Sequence, residues 1–370
     1  MNTQRISACS PLCLLGLLGL TLFASPVAAQ VFDSGPSDRA LFDMVFDVPS
    51  DRADVGDGIG LDELVAQVNV SDGGLLSVGF EAFLGEVNVS GGEVGNFFNA
   101  NAGSEVNISG GEVGIFFDAT GSQVNISGGT VGNGFDAFAG SQINISGGSI
   151  GSNFNGFAGS EVNISGGTFG TSFDASGPFG DDPASVVNIS GGAFELFNAE
   201  GGVVNISGGS FGDGFDSGFG SVLNISGGSF GDDFDVSSGE VNLVGGNLTL
   251  DGVPLDDIAL GDTLTIVDRG QTLSGMFADR TEFSFDLNVN NALGGDFFDA
   301  DVTITVTLVE IPPAPIVGDV DLSGEVDFSD ITPFISVLAS GEFQFEADTD
   351  QNGVVDFSDI PAFVAILSGS

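Results

Sequence analysis

Glu105-Val106-Asn107-Ile108-Ser109-Gly110-Gly111-Glu112-Val113-Gly114-Ile115-Phe116-Phe117-Asp118-Ala119-Thr120-Gly121-Ser122 is the stretch that decides the fold. It holds three short apolar patches, Val106-Asn107-Ile108, Val113 and Phe116 to Ala119, divided by Gly-Gly and by Gly-Ser. The same pattern recurs with its asparagine at Asn69, Asn88, Asn107, Asn125, Asn144, Asn163, Asn188, Asn205 and Asn224, and in degenerate form at Asn242. Successive spacings are 19, 19, 18, 19, 19, 25, 17, 19 and 18. A fixed period near twenty marks a solenoid. Three short strands with glycine-rich corners make one triangular coil of a parallel β-helix. The period-2 rule turns Val106 and Ile108 inward and puts Asn107 on the outer face or at a corner. Coils stacked about 4.8 Å apart align like residues into ladders, and ten of them span roughly 50 Å.

Leucine-rich repeats share the period range, but their Leu-x-x-Leu-x-Leu frame is missing. The drift between 17 and 19 argues against the left-handed helix of strict 18-residue coils, so the expected fold is an all-β, right-handed parallel β-helix of about 19 residues per coil. Gly208 to Asp216 and Gly227 to Asp235 come near the calcium nonapeptide GGxGxDxUx without matching it in register. The Asn-Ile/Val-Ser triplets and Asn247-Leu248-Thr249 also satisfy the N-glycosylation sequon, but their spacing shows that the coil dictates them.

Composition narrows the function. The chain has 370 residues, 52 Asp+Glu against 5 Lys+Arg, and a net charge of -47. Its cations are Arg5, Arg39, Arg52, Arg269 and Arg280; Lys, His, Trp and Tyr are absent, and the two cysteines are Cys9 and Cys13. These absences exclude Ser-His-Asp and Cys-His nucleophiles, HExxH and four-cysteine zinc sites, lysine Schiff bases and the P-loop lysine. Nucleic acid is not an expected partner, because phosphate binding needs clustered cations. With 42% hydrophobic residues and 35 Phe the chain has the apolar side chains to build a core.

Residues 1–29 read as a signal peptide: Arg5, the apolar run Leu12 to Leu20, then Ser25-Pro26-Val27-Ala28-Ala29 with cleavage before Gln30. The run is shorter than the roughly 18 residues of a membrane span. The expected location is therefore secreted, extracellular or at the cell surface, with no span in the mature chain. Cleavage removes Arg5 and both cysteines, leaving a charge of -48 and rigidity that must come from the core, from hydrogen-bond ladders or from metal. Residues 30–62 are irregular and acidic and are expected to cap the first coil. The repeats occupy 63–246, a β-rich cap 247–310 and a Pro-rich linker 311–317.

About ten residues after each Asn-Ile/Val-Ser comes Phe followed by Asp or Asn. Asp118 with Asp136, and Asp216 with Asp235, then fall on neighbouring coils, where stacked carboxylates repel unless one is protonated or a cation bridges them. They are the candidate catalytic residues of a glycoside-hydrolysing pair or the ligands of weak calcium sites, against the alternative of a solvated acidic ridge. A lyase is less well supplied, because the arginines fall outside the regular coils. The 25-residue spacing carries an insertion, Ser176 to Pro183, with paired acids and no cation.

The most specific chemistry lies at the C-terminus. Asp319-Val320-Asp321-Leu322-Ser323-Gly324-Glu325-Val326-Asp327-Phe328-Ser329-Asp330 sets oxygen ligands at loop positions 1, 3, 5, 9 and 12 with Gly at 6, and position 7 offers the Glu325 carbonyl. Asp348-Thr349-Asp350-Gln351-Asn352-Gly353-Val354-Val355-Asp356-Phe357-Ser358-Asp359 repeats it 29 residues later. The expected calcium ligands are Asp319, Asp321, Ser323, Glu325, Asp327 and Asp330, then Asp348, Asp350, Asn352, Val354 (by its carbonyl), Asp356 and Asp359. Each loop leads into apolar residues at i, i+3, i+4 and i+7, Ile331, Phe334, Ile335 and Leu338, then Ile360, Phe363, Val364 and Leu367, which predicts two amphipathic helices.

Two loop-helix units without the usual entering helix, ending in Asp at position 12 with Val326 and Val355 at position 8, resemble a type I dockerin over residues 318–368. The resemblance implies a module that folds on two Ca²⁺ ions and docks to a cohesin-like protein or cell-surface scaffold. It also implies recognition by loop positions 10 and 11, here Phe328, Ser329, Phe357 and Ser358. Phe at position 10 departs from the common Ser or Ala of that family, and the two rings suit internal packing as well as a partner. Two functions follow from the whole chain. One is a secreted structural or adhesive β-helix tethered by this module; the other is a polysaccharide-degrading β-helix enzyme targeted by it.

Overall fold

The computed structural model describes residues 45–48, 54–55, 67–71, 74–76, 78–82, 85–178, 182–255, 258–289, 295–311, 315–341 and 343–368. The signal peptide expected over 1–29 lies outside the described residues, as do most of 30–62 and the prolines at 312–313. The fold is a parallel β-solenoid of about nine turns, about 19 residues each, followed by two helices. Each coil contributes three short strands. In one coil these are Gln123–Ile126, Thr130–Val131 and Asp136–Ala137. The first two belong to one sheet bent at the Gly-Gly corner, and the third to a second sheet. In other coils, such as Glu105–Val113 and Val203–Phe211, one strand runs through the corner without a break.

The register reproduces the sequence period: Val124 pairs with Ile143, Asn125 with Asn144 and Ile126 with Ile145. Alternation buries Val124 and Ile126 and leaves Asn125 half-buried. Inside, Phe98, Phe117 and Phe135 stack at 4.7 and 4.5 Å between ring centroids, and Phe154, Phe173, Phe197, Phe215 and Phe234 continue at 4.6 to 5.0 Å. A second column, Phe169, Phe194, Phe211 and Phe230, meets the first edge-on. Offset stacks and edge-to-face pairs are the favoured aromatic geometries.

The corner explains why Gly-Gly follows every Asn-Ile-Ser. A Cβ on Gly110, Gly128, Gly147, Gly166, Gly191, Gly208 or Gly227 would lie 2.3–2.6 Å from the serine carbonyl oxygen of the coil before it. The second glycine of the pair, such as Gly129 or Gly148, has positive φ. Side-chain bonds reinforce the stack, since each asparagine Nδ2 donates to the Oδ1 of the preceding coil at 2.7–3.1 Å from Asn88 to Asn242.

The ladder extends beyond the sequence period at both ends. Val45–Val48 pairs in parallel with Gln67–Val70, so part of the segment expected to be an irregular cap carries a rung. At the other end Thr303–Leu308 pairs in parallel with Gly239–Leu250, and Phe297–Phe298 with Phe234–Val236. The intervening residues form antiparallel pairs, among them Thr272–Phe277 with Glu282–Asp286. Residues 247–310, read from sequence as a β cap, thus include strands of a last coil.

Helices α1 (Ile331–Ser340) and α2 (Asp359–Ser368) have a core of their own, Val320, Phe334, Ala347, Val355 and Phe363. Phe334 and Phe363 stack at 4.0 Å between centroids, relating the two units as near-equivalents. This stack sets the rotation of each helix. At about 100° per residue, Leu338 lies about 40° from Phe334 while Ile331 and Ile335 lie about 60° and 100° away. Ile331 and Ile335, and likewise Ile360 and Val364, are accordingly exposed, which corrects the single inward face read from their spacing.

Candidate metal centre

Both C-terminal loops converge on an acidic cluster. Asp319, Asp321 and Asp330 each offer a carboxylate oxygen within 4.8 Å of the others, and Asp348, Asp350 and Asp359 do the same. Asp330 and Asp359 are 0% exposed, and Asp319 and Asp348 are also buried. The chain folds this way because the carboxylates organise the backbone. Asp319 accepts from the N–H of Ser323 (2.9 Å) and of Gly324 (2.8 Å), and Asp348 from Asn352 (3.0 Å) and Gly353 (2.8 Å). Asp330 accepts from the N–H of Asp321 and Asp327, and Asp359 from Asp350 and Asp356. Gly324 and Gly353 take φ of 92° and 86°, as the sharp turn at position 6 requires.

Asp327 caps the turn Phe328–Asp330 that opens α1, in a capping box with Asp330. Asp327 and Asp356 are exposed, and both accept from a serine N–H at 2.7 Å. The hydroxyls of Ser329 and Ser358 donate to Asp321 and Asp350 at 2.7 Å, so the serines at position 11 brace the loops. These bonds hold Asp321 below the usual carboxylate range, and Ser329 and Ser358 do the same for Asp327 and Asp356. Ser323 donates to the Glu325 carbonyl, while the Asn352 amide donates to the Ser358 hydroxyl; Glu325 and Val354 are exposed. Phe328 and Phe357 are 80% and 79% exposed, which excludes the internal-packing reading of these rings.

A cluster of three carboxylates with no Lys, Arg or His anywhere in residues 315–368 fits a metal cation. The donor set is entirely oxygen, which suits a hard divalent ion. Each carboxylate keeps lone pairs beyond those its N–H donors use.

The solenoid carries the second group of candidates. The register places Asp118 beside Asp136 and Asp216 beside Asp235. Burial, followed by the charge of Asp136, raises the pKa of Asp118; burial also raises that of Asp136 against a lowering bond from Asn155. Asp216 and Asp235 are raised by burial and then by neighbouring acids, Asp233 beside the first, and Asp216, Asp233 and Asp296 beside the second. Asp296 is invisible to the repeat spacing, because a loop at 295–296 brings it back 62 residues to accept from the Phe234 N–H. Asn155 donates to Asp136 and Asn198 to Asp174, both at 2.6 Å, so asparagine relieves the column wherever it follows an aspartate.

Comparison with known proteins returns no matching family model, no matching curated protein and no matching solved structure. No helix among the described residues is long and apolar enough to cross a membrane.

Proposed function

We propose that the protein is an exported, calcium-dependent display protein. Its C-terminal unit, similar to a type I dockerin, folds around two Ca²⁺ ions and docks the solenoid to a cohesin-type partner or a cell-surface scaffold. The solenoid serves as the structural or adhesive element. The observation that carries this reading is the duplicated trio of carboxylates in a module without a cation.

Electrostatics support metal-dependent folding. Like charges within 4.8 Å of one another repel, and each cluster holds two buried carboxylates, Asp319 and Asp330 or Asp348 and Asp359, with no cation between them. Backbone N–H bonds offset part of this. A core of five buried apolar residues on so small a scaffold supplies only about 3–5 kcal/mol, so the unit needs a divalent ion to be stably folded. The exposed flanks Phe328, Ile331 and Ile335, and Phe357, Ile360 and Val364, give each half an equivalent apolar surface for a docking partner.

Residues 316–370 expressed alone gain helical circular dichroism on titration with Ca²⁺ and lose it with EDTA. The pair Asp319→Ala and Asp348→Ala abolishes that response, and a response fully retained in the double variant contradicts the ligand assignment.

A further inference from the structure

The Asn-Ile-Ser edge of the solenoid is concave. A groove of about 730 Å³ runs along it, lined by the Asn-Ile-Ser triplets of six successive coils from Asn125 to Ser226 and closed by Val244. The Gly-Gly that follows each serine puts no side chain on that side of the trough. Its lining holds no charged residue, although the chain as a whole carries -47.

We propose that this groove binds one extended chain of an uncharged, hydroxyl-rich glycan, a role beyond the docking function of the C-terminal unit. Hydrogen-bond capacity is the first argument. Asn144, Asn188, Asn205 and Asn224 each spend one Nδ2 hydrogen on the preceding coil and one Oδ1 lone pair on the next. A primary amide has two hydrogens and two lone pairs, so a donor and an acceptor remain at each half-buried asparagine. The serine hydroxyls beside them make only long bonds to the preceding coil, 3.4 Å for Ser146 and 3.3 Å for Ser190 and Ser207. The groove wall is therefore a repeated row of amide and hydroxyl groups, about 4.8 Å from coil to coil, while the isoleucine side chains between them face the core.

The same features discriminate among occupants. Nucleic acids and polyuronates are repelled by the surrounding acids. An extended polypeptide presents like side chains every two residues, about 6.8 Å apart, which does not keep step with the coils, and the strands here already have ladder partners on both sides. A neutral glycan supplies hydroxyl donors and acceptors on every sugar and carries no charge for the surrounding acids to repel. At one end the trough is stopped by the turn at Ala278 and Asp279, where Ala278 N–H donates to the Ser226 carbonyl and Asp279 accepts from Gly228 N–H at 2.8 Å. A stopped groove fits a chain end or a single strand lying along the axis.

The test is affinity gel electrophoresis of the full chain in saturating Ca²⁺, with hydroxyethyl cellulose, galactomannan or polygalacturonate cast in the gel. Ser165→Tyr places a ring across the middle of the groove from an exposed position, and Ser149→Tyr makes the same change at an exposed position on the neighbouring strand. The smaller Ser190→Leu removes a groove hydroxyl without a bulky ring. The wild type and Ser149→Tyr are expected to be retarded by at least one neutral glycan, with Ser165→Tyr bound about tenfold more weakly or worse and Ser190→Leu also weakened. The inference is overturned by no retardation in either neutral glycan, by retardation in polygalacturonate alone, or by folded Ser165→Tyr and Ser190→Leu being retarded as strongly as the wild type.

Discussion

Replacing Asp136 by asparagine is expected to stabilise the solenoid at neutral pH. Asp136 stands in register with Asp118 on one side and Asn155 on the other, and Asn155 already donates to Asp136 at 2.6 Å. Asparagine at 136 can make the same bond to Asp118 while still accepting from Asn155, so a repulsive pair becomes a continuous amide ladder. Asp118 gains a charge-assisted bond as Asn155 loses one, so the net gain is one neutral bond, about 0.5–1.5 kcal/mol, plus the relief of the Asp118–Asp136 repulsion, or about 1–2 kcal/mol at these partly exposed positions. The thermal midpoint of the solenoid then rises by roughly 2–8 °C.

The pH dependence carries the sign. Burial raises the folded pKa of Asp118 and Asp136 above the ordinary 3.8, so the folded coil binds protons more tightly than the unfolded chain. Their destabilising contribution is absent below about 3.8 and grows as pH rises through the folded values. The gain from Asp136→Asn is thus largest at pH 7 and fades as the pH approaches 4, as followed by circular dichroism melts in EDTA. Asn155→Asp, which joins Asp118, Asp136 and Asp174 into a row of four carboxylates, is expected to lower the midpoint at pH 7. An Asp136→Asn protein less stable than wild type at pH 7 would show that Asp118 and Asp136 do not destabilise the coil, and a wild-type solenoid transition that rises with Ca²⁺ only while Asp136 is present would identify a cation bridge between coils.

Gly147→Ala is expected to cost about 1–3 kcal/mol, because its Cβ would lie 2.6 Å from the Ser127 carbonyl, whereas Ser149→Ala on the exposed sheet face changes the melt little. The double variant Phe328→Ser and Phe357→Ser removes two exposed rings and is expected to keep Ca²⁺-induced helicity unchanged while reducing association with a docking partner, measured by calorimetry against a cohesin-fold protein.

Most of the solenoid could be read from the chain, because each coil solves the same steric problem with the same residues. Asn-Ile-Ser-Gly-Gly fixes strand, ladder and corner together, and the buried Phe column follows from alternation. The last coil was hidden, since Phe297–Phe298 and Thr303–Leu308 return to the ladder after a long antiparallel excursion that leaves no period. In the C-terminal loops the spacing of the acids is local and therefore legible, and the aspartates at positions 1, 3 and 12 of each loop cluster in space. Helix orientation is not local. The Phe334–Phe363 stack decides which flank of each helix is buried, so the i, i+4 partners Ile331 and Ile335 emerge on the surface. Ser329 and Ser358 occupy positions associated by resemblance with recognition, yet their hydroxyls are committed to Asp321 and Asp350, a tertiary choice invisible to spacing. The groove, too, exists only once the coils are stacked.

The most direct test of the proposed calcium-dependent module is the stoichiometry of Ca²⁺ binding to the full chain by isothermal titration calorimetry. The expected result is two saturable sites per chain, one in Asp319→Ala, and none in Asp319→Ala combined with Asp348→Ala. Absence of binding by the wild type, or two sites persisting in the double variant, would contradict the assignment of the paired loops as the calcium centre.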